Sequence, residues 1–399
     1  MVGSVDLETR TVTTVALLGP DYRRFSFELL CGVGDEVKAG GALRRDARRP
    51  EVRLVAPAAG RISRVERGAR RKLLSLQIDV DDSLGVARYE APSDNEGSVL
   101  RSFMLESGAW SSLRTRPFGN IPHPDAEPAA IFVTALDTAP FAPDPRPIID
   151  AWFDEFKAAV SALETISAAS VYLCHAPDHS LAIEDSDRVR KVAFSGGDYA
   201  GLPGVHINAL CPIGFAGGEV WHLGYQEVIA LGHLLLRGRP WLQRVISIAG
   251  SAVKNPRSLL VPPGADIDEL LVDELTDSPN RIIAGAPIYG RAPAPGQEFL
   301  AAGQRQITIQ ATSADETEIP PETAGVLIPG DRLEQVAPPG IYPVPLMRAL
   351  QLGDAERARE LGALELVEED VAPLSHACIS NNDYGLLLRN VLDQLEAGR

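Results

Sequence analysis

The chain has 399 residues, with 45% hydrophobic and 23% charged side chains and a formal net charge of −16. Its length predicts two to four domains, and its composition is that of a soluble globular protein. The negative net charge disfavours nucleic acid as a partner. No apolar run is long enough to span a membrane, and the polar N-terminal segment lacks a secretory signal, so we expect a cytoplasmic protein. Its four cysteines are widely separated, which argues against a zinc site, an iron–sulfur cluster or a disulfide framework.

The first segment, residues 1–99, has the pattern of a biotinyl/lipoyl-like barrel-sandwich domain. Two glycine-containing half-motifs lie between predicted strands at 15–18 and 73–80. Glycines stand where tight turns require a positive φ, and a proline begins the second half. The two halves read Gly34-Asp35-x-Val37-x-x-Gly40-x-x-Leu43 and Val55-Ala56-Pro57-x-x-Gly60-x-Ile62.

The hairpin between these halves carries arginines where a biotinyl or lipoyl carrier has its modified lysine. Between Lys38 and Lys72 the sequence contains twelve basic and three acidic residues. A basic module on an acidic chain predicts a docking face for anionic lipid headgroups or an acidic partner. A solvated rim that keeps the small domain soluble is the alternative. The candidate docking residues are Arg44, Arg45, Arg48 and Arg49.

Residues 100–254 alternate between apolar strands and amphipathic helices. The run 130–136 is apolar throughout, as expected for a strand whose sheet is covered on both faces. Strands separated by helices predict a parallel, Rossmann-like sheet. The further elements predicted are a helix from about residue 147, strands at 170–174, 189–194 and 244–249, and a helix at 226–237.

A dinucleotide site is not indicated in this domain. The stretch after the first strand, Asp137 to Pro143, contains no glycine and two prolines, so it offers few amide donors to a pyrophosphate. A glycine-rich stretch occurs later, at 195–204, and follows a strand. It is expected to run into 205–207 without forming a helix, so we interpret it as a structural loop.

The remainder of the chain divides into two further units. Residues 255–335 contain short predicted strands at 281–284 and 306–310 and a capped helix start at Asp266, which predicts a β-grasp (SLBB-like) module of one helix on a small mixed sheet. Residues 336–399 are predicted to be helical, at 347–351, 354–361 and 384–395. The predicted fold class is therefore α/β and α+β multidomain.

No catalytic or metal-binding constellation is evident. His175, His206, His222 and His233 lie in one region, and the last two are eleven residues apart, which places them on one face only if a helix begins early. No carboxylate or cysteine stands beside them at metal-ligand spacing, so core or interface histidines are the preferred interpretation. The sequence also lacks a G-x-S-x-G elbow, a Walker A loop and an H-E-x-x-H helix.

Motifs along most of the chain resemble the NqrA family, which comprises the A subunits of the Na⁺-translocating NADH:quinone reductase. The most distinctive block runs from Leu113-Arg-Thr-Arg-Pro-Phe118 into Ala130-Ile-Phe-Val-Thr-Ala-Leu-Asp-Thr138. Further matching motifs are Val15-Ala-Leu-Leu-Gly-x-Asp-Tyr22, Gly201-Leu202-x-Gly204-x-His206-Ile207, Val220-Trp-His222-x-x-Tyr225-Gln, Asn280-Arg-Ile-Ile-x-Gly285, Leu361-Gly-x-Leu-Glu-Leu366 and Tyr384-Gly385-x-x-Leu-Arg389.

The resemblance implies a barrel-sandwich module, a Rossmann-like domain, a β-grasp domain and a helical C-terminus. It also implies a cytoplasmic protein that is peripheral at the inner face of the cell membrane. Such a protein docks on membrane subunits, touches the membrane only indirectly, and is not catalytic alone. The family member has no redox cofactor of its own and is implicated in ubiquinone binding.

Five residues are candidates for contact with quinone or a partner. The resemblance singles out Arg114, Arg116 and Phe118, with a purely structural role as the alternative. Phe132 and Asp137 lie where a Rossmann-like sheet would hold a quinone or nucleotide. Two other functions stay open at this point: a shortened paralogue acting as a quinone-binding, nucleotide-binding or scaffold module in another redox complex, and a covalent carrier, which the missing lysine disfavours.

Overall fold

The computed structural model describes residues 7–92, 96–214, 218–312 and 325–398. Its N-terminal unit consists of two antiparallel sheets packed face to face, with strand orders β2-β8-β7-β4 and β3-β5-β6. The barrel-sandwich prediction is confirmed. The short strand β1 pairs elsewhere, in parallel with β15. The strands are β1 Glu8–Thr9, β2 Thr14–Leu18, β3 Phe27–Leu29, β4 Glu36–Val37, β5 Ala42–Asp46, β6 Arg49–Val55, β7 Gly60–Arg67 and β8 Leu73–Val80, and β15 is Arg257–Val261.

The second unit is a five-stranded sheet in the order β12-β11-β10-β13-β9. Its four longer strands are parallel, and the short edge strand β9 is antiparallel to β13. The predicted Rossmann-like parallel sheet is therefore confirmed. Its elements are α1 Gly97–Glu106, β9 Arg114–Arg116, β10 Ala130–Ala135, α2 Pro145–Ala151, α3 Phe153–Ile166, β11 Ser170–His175, β12 Val189–Ala193, α4 Pro203–Leu210, β13 Val220–Gly224 and α5 Tyr225–Arg237.

Both faces of β10 are covered, which explains why its sequence is apolar without alternation. Ile131 and Val133 pack into the core that α3 and α5 share, whereas Phe132 packs into the core formed with the C-terminal helices. Helices α3 and α5 approach so closely that a Cβ added at Gly232 would lie 1.7 Å from the carbonyl oxygen of Glu155. This contact leaves no room for any side chain at position 232.

The third unit is a mixed sheet in the order β1-β15-β14-β17-β16, with one short helix. Its elements are β14 Arg244–Ala249, β15 Arg257–Val261, α6 Ile267–Leu270, β16 Asn280–Ala284 and β17 Gln306–Ala311. The side chain of Asp266 caps α6 by accepting a hydrogen bond from the Glu269 amide at 3.0 Å, as predicted. The strand at 244–249 exists, but its placement in the parallel sheet was wrong, because it pairs with β15 and β17.

The C-terminal helices are α7 Asp331–Val336, α8 Pro343–Leu352, α9 Ala355–Glu360, α10 Glu368–Ala377 and α11 Tyr384–Ala397. They lie against the parallel sheet and are held there by apolar packing and by the buried Arg116–Asp370 ion pair, while Arg389 and Glu368 join α11 to α10. None of the helices in the described ranges is long and apolar enough to cross a membrane.

Candidate functional site

The strand order of the parallel sheet defines a topological switch point between β10 and β13. The chain goes from β10 outward through β11 to β12, and then returns to the other side of β10 as β13. In open α/β sheets, ligands bind in the crevice outside the carboxyl ends of the strands at such a point. A cavity of about 370 Å³, the switch-point cavity, lies there, between Thr134 and Asp137 at the end of β10 and His222 to Gly224 at the end of β13.

The remaining walls of the switch-point cavity come from all parts of the chain. Tyr22 belongs to the barrel-sandwich unit, Arg114 to the edge strand β9, Tyr289 and Arg305 to the mixed sheet, and Glu369 to α10. The cavity is therefore formed only when the four units are packed together.

Charges in the switch-point cavity are largely compensated. Arg305 donates to Asp137 at 3.1 Å and lies 4.0 Å from Glu227, which also pairs with Arg244. Burial alone would raise the pKa of Glu227, but the two arginines outweigh burial and lower it. Arg114 donates to three main-chain carbonyls, those of Ser111, Leu113 and Asp21.

Glu227 lies in the first turn of α5, directly after β13. In dinucleotide-binding folds a helix N-terminus at this edge of the sheet holds a phosphate. Here the Glu227 carboxylate occupies that position, and it is held there by Arg244 and Arg305. This arrangement disfavours a phosphate at the N-terminus of α5.

The loop after β10 is used for contact between units. The side chain of Gln306 donates to the Pro140 carbonyl at 2.9 Å, and the hydroxyl of Ser247 donates to the Phe141 carbonyl. Both donors belong to the mixed sheet. The segment that would cradle a pyrophosphate in a dinucleotide site is thus bound to another sheet.

Two titratable groups on the cavity wall have pKa values shifted toward their neutral forms. Burial and the nearby charge of Asp370 raise the pKa of Glu369 to about 7. Burial and the positive charges of Arg116 and Arg114 lower the pKa of His222 well below its ordinary value. The imidazole of His222 therefore adds no charge to the cavity, and the carboxyl of Glu369 is protonated part of the time.

The cavity also contains a polar group without a partner. The side chain of Thr134 is buried, with 2% exposure, and its hydroxyl forms no hydrogen bond with any described residue. A buried hydroxyl in that state loses its hydration without compensation. Thr134 lines the cavity, so its hydroxyl is a candidate donor to a ligand there.

Of the five residues proposed for quinone or partner contact, the structure brings Arg114 and Asp137 together in the cavity wall. Arg116 is fully buried and pairs with Asp370 at 2.7 Å. Phe118 is buried, and its carbonyl accepts a hydrogen bond from Arg389. Phe132 is also fully buried and stacks on Tyr172 with ring centroids 5.0 Å apart. The last three residues are therefore buried in the core.

The arginines proposed for docking differ in exposure. Arg44 is fully buried, and among the described residues none accepts a hydrogen bond from its guanidinium, which lies 5.6 Å from the centre of the Phe27 ring. Its inclusion in a docking surface was wrong. A β-bulge between Ala42 and Arg44 turns the side chain inward. Burial and the nearby Arg67 lower the pKa of Arg44 to about 10.

The other three arginines reach the surface of the barrel-sandwich unit. Arg45 donates to both carboxylate oxygens of Glu28 at 2.8 Å. Arg49 pairs with Asp46 at 2.8 Å and is mostly buried. Arg48 lies exposed in the turn between β5 and β6. The basic surface therefore contains fewer arginines than the sequence indicated, and the charges of Arg45 and Arg49 are partly neutralised by Glu28 and Asp46.

One other sequence expectation needs correction. The glycine-rich stretch does run into a helix, because α4 begins at Pro203, a residue that favours the first helical turn. The condition for placing His222 and His233 on one helix face is not met, since the first lies on β13 and the second on α5. Within the described ranges, no group of three or more histidine, cysteine or acidic side chains is placed to hold a metal ion.

Sequence reasoning missed most of the cavity wall. Tyr22, Tyr289, Arg305 and Glu369 are far apart in sequence, and the family motif that ends at Tyr22 does not indicate that these four residues meet. His222 is noticeable in the sequence, but core or interface histidines were the preferred interpretation, and nothing indicated a cavity beside it. Only proximity to the carboxyl ends of β10 and β13 identifies these residues as one set.

Comparison with family models places three matches along the chain. Residues 4–81 match the NqrA N-terminal barrel-sandwich hybrid domain, 95–240 match the NqrA second alpha/beta domain, and 245–293 match the NQRA C-terminal domain.

Curated proteins match over nearly the whole length. The Na(+)-translocating NADH-quinone reductase A subunit of Pseudomonas aeruginosa (strain UCBPP-PA14) is 38% identical over 424 residues, covering 97% of this chain and 94% of the relative. The protein of the same name from Neisseria meningitidis serogroup B is 35% identical, covering 96% and 94%. Among solved structures, a chain of NAD+-reducing [NiFe]-hydrogenase in the H2-reduced state is 12% identical with a TM-score of 0.40, covering 79% of this chain and 68% of that one.

Proposed function

The chain belongs to the family of Na⁺-translocating NADH-quinone reductase A subunits, and on this basis we propose that it is the cytoplasmic, peripheral subunit of such a complex. It docks on the membrane subunits at the inner face of the cell membrane and touches the lipid only indirectly. It holds no redox cofactor of its own and is not catalytic alone. The observation that carries this proposal is the 38% identity to a curated NqrA protein over 97% of the chain.

Association with membrane subunits is tested by isolating the tagged full-length chain from membranes of its host. We expect it in the membrane fraction together with further subunits, and we expect high salt to release part of it, because exposed charges are screened. Arg48→Glu should lower the membrane-bound fraction several-fold at fixed salt. Arg190→Glu, an exposed arginine on the far edge strand β12, serves as the control. A chain found wholly in the soluble fraction without other subunits would contradict the proposal.

We propose further that the switch-point cavity binds the ring of the quinone. A quinone ring is neutral and accepts hydrogen bonds through two carbonyl oxygens. The cavity offers Thr134, a donor without a partner among the described residues, Arg114, a cation hydrogen-bonded to main-chain carbonyls, and a low net charge. A volume of about 370 Å³ is within the range of small-molecule sites. The Glu227 carboxylate at the N-terminus of α5 disfavours a nucleotide in the same place.

Thr134→Val is expected to weaken binding of a soluble benzoquinone about 3- to 10-fold, the effect of losing one hydrogen bond. It should leave the unfolding midpoint unchanged or slightly higher, because the hydroxyl has no partner in the free protein among the described residues. Thr308→Val is the matched control. Its hydroxyl donates to the Gly285 carbonyl at 2.8 Å outside the cavity, so this variant should lose stability and keep its affinity. Equal affinity of the Thr134 variant and the unmodified chain, measured by isothermal titration, would contradict a ring at this site.

A further inference from the structure

Three acidic residues begin helix α10, and they differ in what their side chains face. The helix starts with Glu368-Glu369-Asp370. Of these three, Glu369 is the one that lines the switch-point cavity. Its side chain is 37% exposed, whereas that of Asp370 is 2% exposed. Glu369 therefore places a titratable side chain in the wall of the cavity.

The carboxylates on either side of Glu369 are each bound closely by an arginine. Arg389 donates to both oxygens of Glu368, at 2.9 and 2.6 Å. Arg116 donates to Asp370 at 2.7 Å. The charges of these two acids are thus compensated within the protein, away from the cavity.

Glu369 itself shares a cation that is already engaged. It lies 3.3 Å from Arg116, whose other terminal nitrogen is bound to Asp370. Two carboxylates that share one cation ionise one after the other, and the one with the weaker contacts keeps its proton to the higher pH. Asp370 has the shorter ion pair and also accepts the Val367 amide at 2.8 Å, so Glu369 is the carboxyl that keeps its proton. Its pKa of about 7, raised by burial and by the charge of Asp370, agrees with this order.

The charged and titratable groups that act on Glu369 come from several elements. They are Arg116 of β9, Glu368 and Asp370 of α10, Arg305 directly before β17, and Tyr289 after β16. Burial raises the pKa of Tyr289 far above neutral pH, so its hydroxyl stays protonated. Burial would raise the pKa of Glu368, but Arg389 outweighs burial and lowers it to about 2. A change of pH near 7 therefore alters the charge of Glu369 and leaves Tyr289 and Glu368 as they are.

We propose that Glu369 distinguishes the two redox forms of a quinone in the switch-point cavity. This inference rests on the proposed ring site. When protonated, the carboxyl group donates a hydrogen bond to a carbonyl oxygen of the quinone, which can only accept. When ionised, it accepts a hydrogen bond from a hydroxyl of the quinol and repels the carbonyl oxygen of the quinone. A rise in pH therefore shifts the preference of the site from the quinone to the quinol.

The test is anaerobic isothermal titration of the full-length chain with 2,3-dimethoxy-5-methyl-1,4-benzoquinone and with its quinol, at pH 6.5 and 8.5. We expect the affinity for the quinone to fall at least about fivefold, because the protonated fraction of a group with a pKa of about 7 falls from roughly three quarters to a few per cent. The affinity for the quinol should rise about twofold or more, since its phenolic hydroxyls, like that of tyrosine, stay protonated at both pH values.

The outcomes for the unmodified chain separate this inference from the ring site. A quinone affinity that does not change with pH would overturn the role of Glu369 and leave the ring site standing. A quinol affinity that falls in parallel with that of the quinone would do the same. Saturable binding of neither probe at either pH would overturn the ring site and the inference together.

Two variants assign the pH dependence to a residue. Glu369→Gln should bind both redox forms with affinities that change by less than about twofold between the two pH values, because an amide donates and accepts at both. Asp21→Asn is the matched control. Burial raises the pKa of Asp21 to about 6, and its carboxylate accepts the amide of Ala302 in the cavity wall at 2.7 Å. This variant should keep the full pH dependence, and its loss there, or its persistence in Glu369→Gln, would overturn the inference.

Discussion

Replacing Arg116 with methionine is expected to lower the free energy of unfolding by about 3–5 kcal/mol. The guanidinium is fully buried and lies 2.7 Å from Asp370 and 3.3 Å from Glu369. Methionine fills a similar volume but leaves the Asp370 carboxylate buried without its cation. Removing one member of a buried pair costs far more than the pair contributes in total, because the remaining charge has lost both water and partner. Urea unfolding followed by circular dichroism measures the loss.

Arg146→Met provides the comparison for this prediction. Arg146 also pairs with two carboxylates, those of Asp144 and Asp178, but its side chain is exposed. Water replaces the lost partner there, so the loss should be much smaller. A second comparison combines Arg116→Met with Asp370→Asn, which removes the unpaired charge and should recover part of the stability. Equal losses of unfolding free energy for the two arginine variants would contradict a stabilising role of the buried Arg116–Asp370 ion pair between β9 and α10.

Gly232→Ala is expected to destabilise the protein by at least ~3 kcal/mol, although alanine is the better helix former. In a helix interior the exchange of glycine for alanine is ordinarily favourable by about 1 kcal/mol. Here the new Cβ would lie 1.7 Å from the Glu155 carbonyl oxygen and 2.4 Å from its carbon. Both atoms belong to the backbone of α3, so the two helices must separate and expose the core between them.

The control for this substitution is Gly385→Ala in the first turn of α11. Its nearest neighbours are the ends of two side chains, Arg291 at 3.0 Å and Asp383 at 3.1 Å, which can move aside. Its unfolding free energy should change by less than about 1 kcal/mol. Thermal unfolding of both variants and of the unmodified chain measures these changes in stability. A Gly232 variant as stable as the Gly385 variant would disprove the close contact between α3 and α5.

The apolar pattern of the sequence predicted the sheets well. The run 130–136 indicated a strand covered on both faces, and Ile131 and Phe132 indeed point into two different cores. The glycines at 34, 40 and 60 indicated turns. Gly34 and Gly40 have φ of +94° and +76°, whereas Gly60 begins β7, where a Cβ would lie 2.1 Å from the Asp79 carbonyl oxygen. Such signals are local, because the residue itself carries the conformational requirement.

Other features depended on contacts that no local pattern records. Arg44 is buried because of a bulge in β5, and nothing in its charge indicates that outcome. The strand 244–249 follows a helix at the spacing of a βαβ unit, yet it joins another sheet. The cavity residues Tyr22, Arg305 and Glu369 acquire a common site only from the packing of the units. Each of these outcomes depends on packing between residues that are far apart in sequence, and a pattern within one segment does not record such packing.

The origin of the cavity walls in four units has a thermodynamic consequence. If any one of the units that supply Tyr22, Arg114, Arg305 and Glu369 unfolds, the site is lost and its occupant is released. A bound molecule therefore opposes the unfolding of each unit by the same amount, which grows as the logarithm of its concentration above Kd. A bound ligand therefore couples the unfolding of the four units, because the unfolding of any one of them also releases the ligand that stabilises the other three.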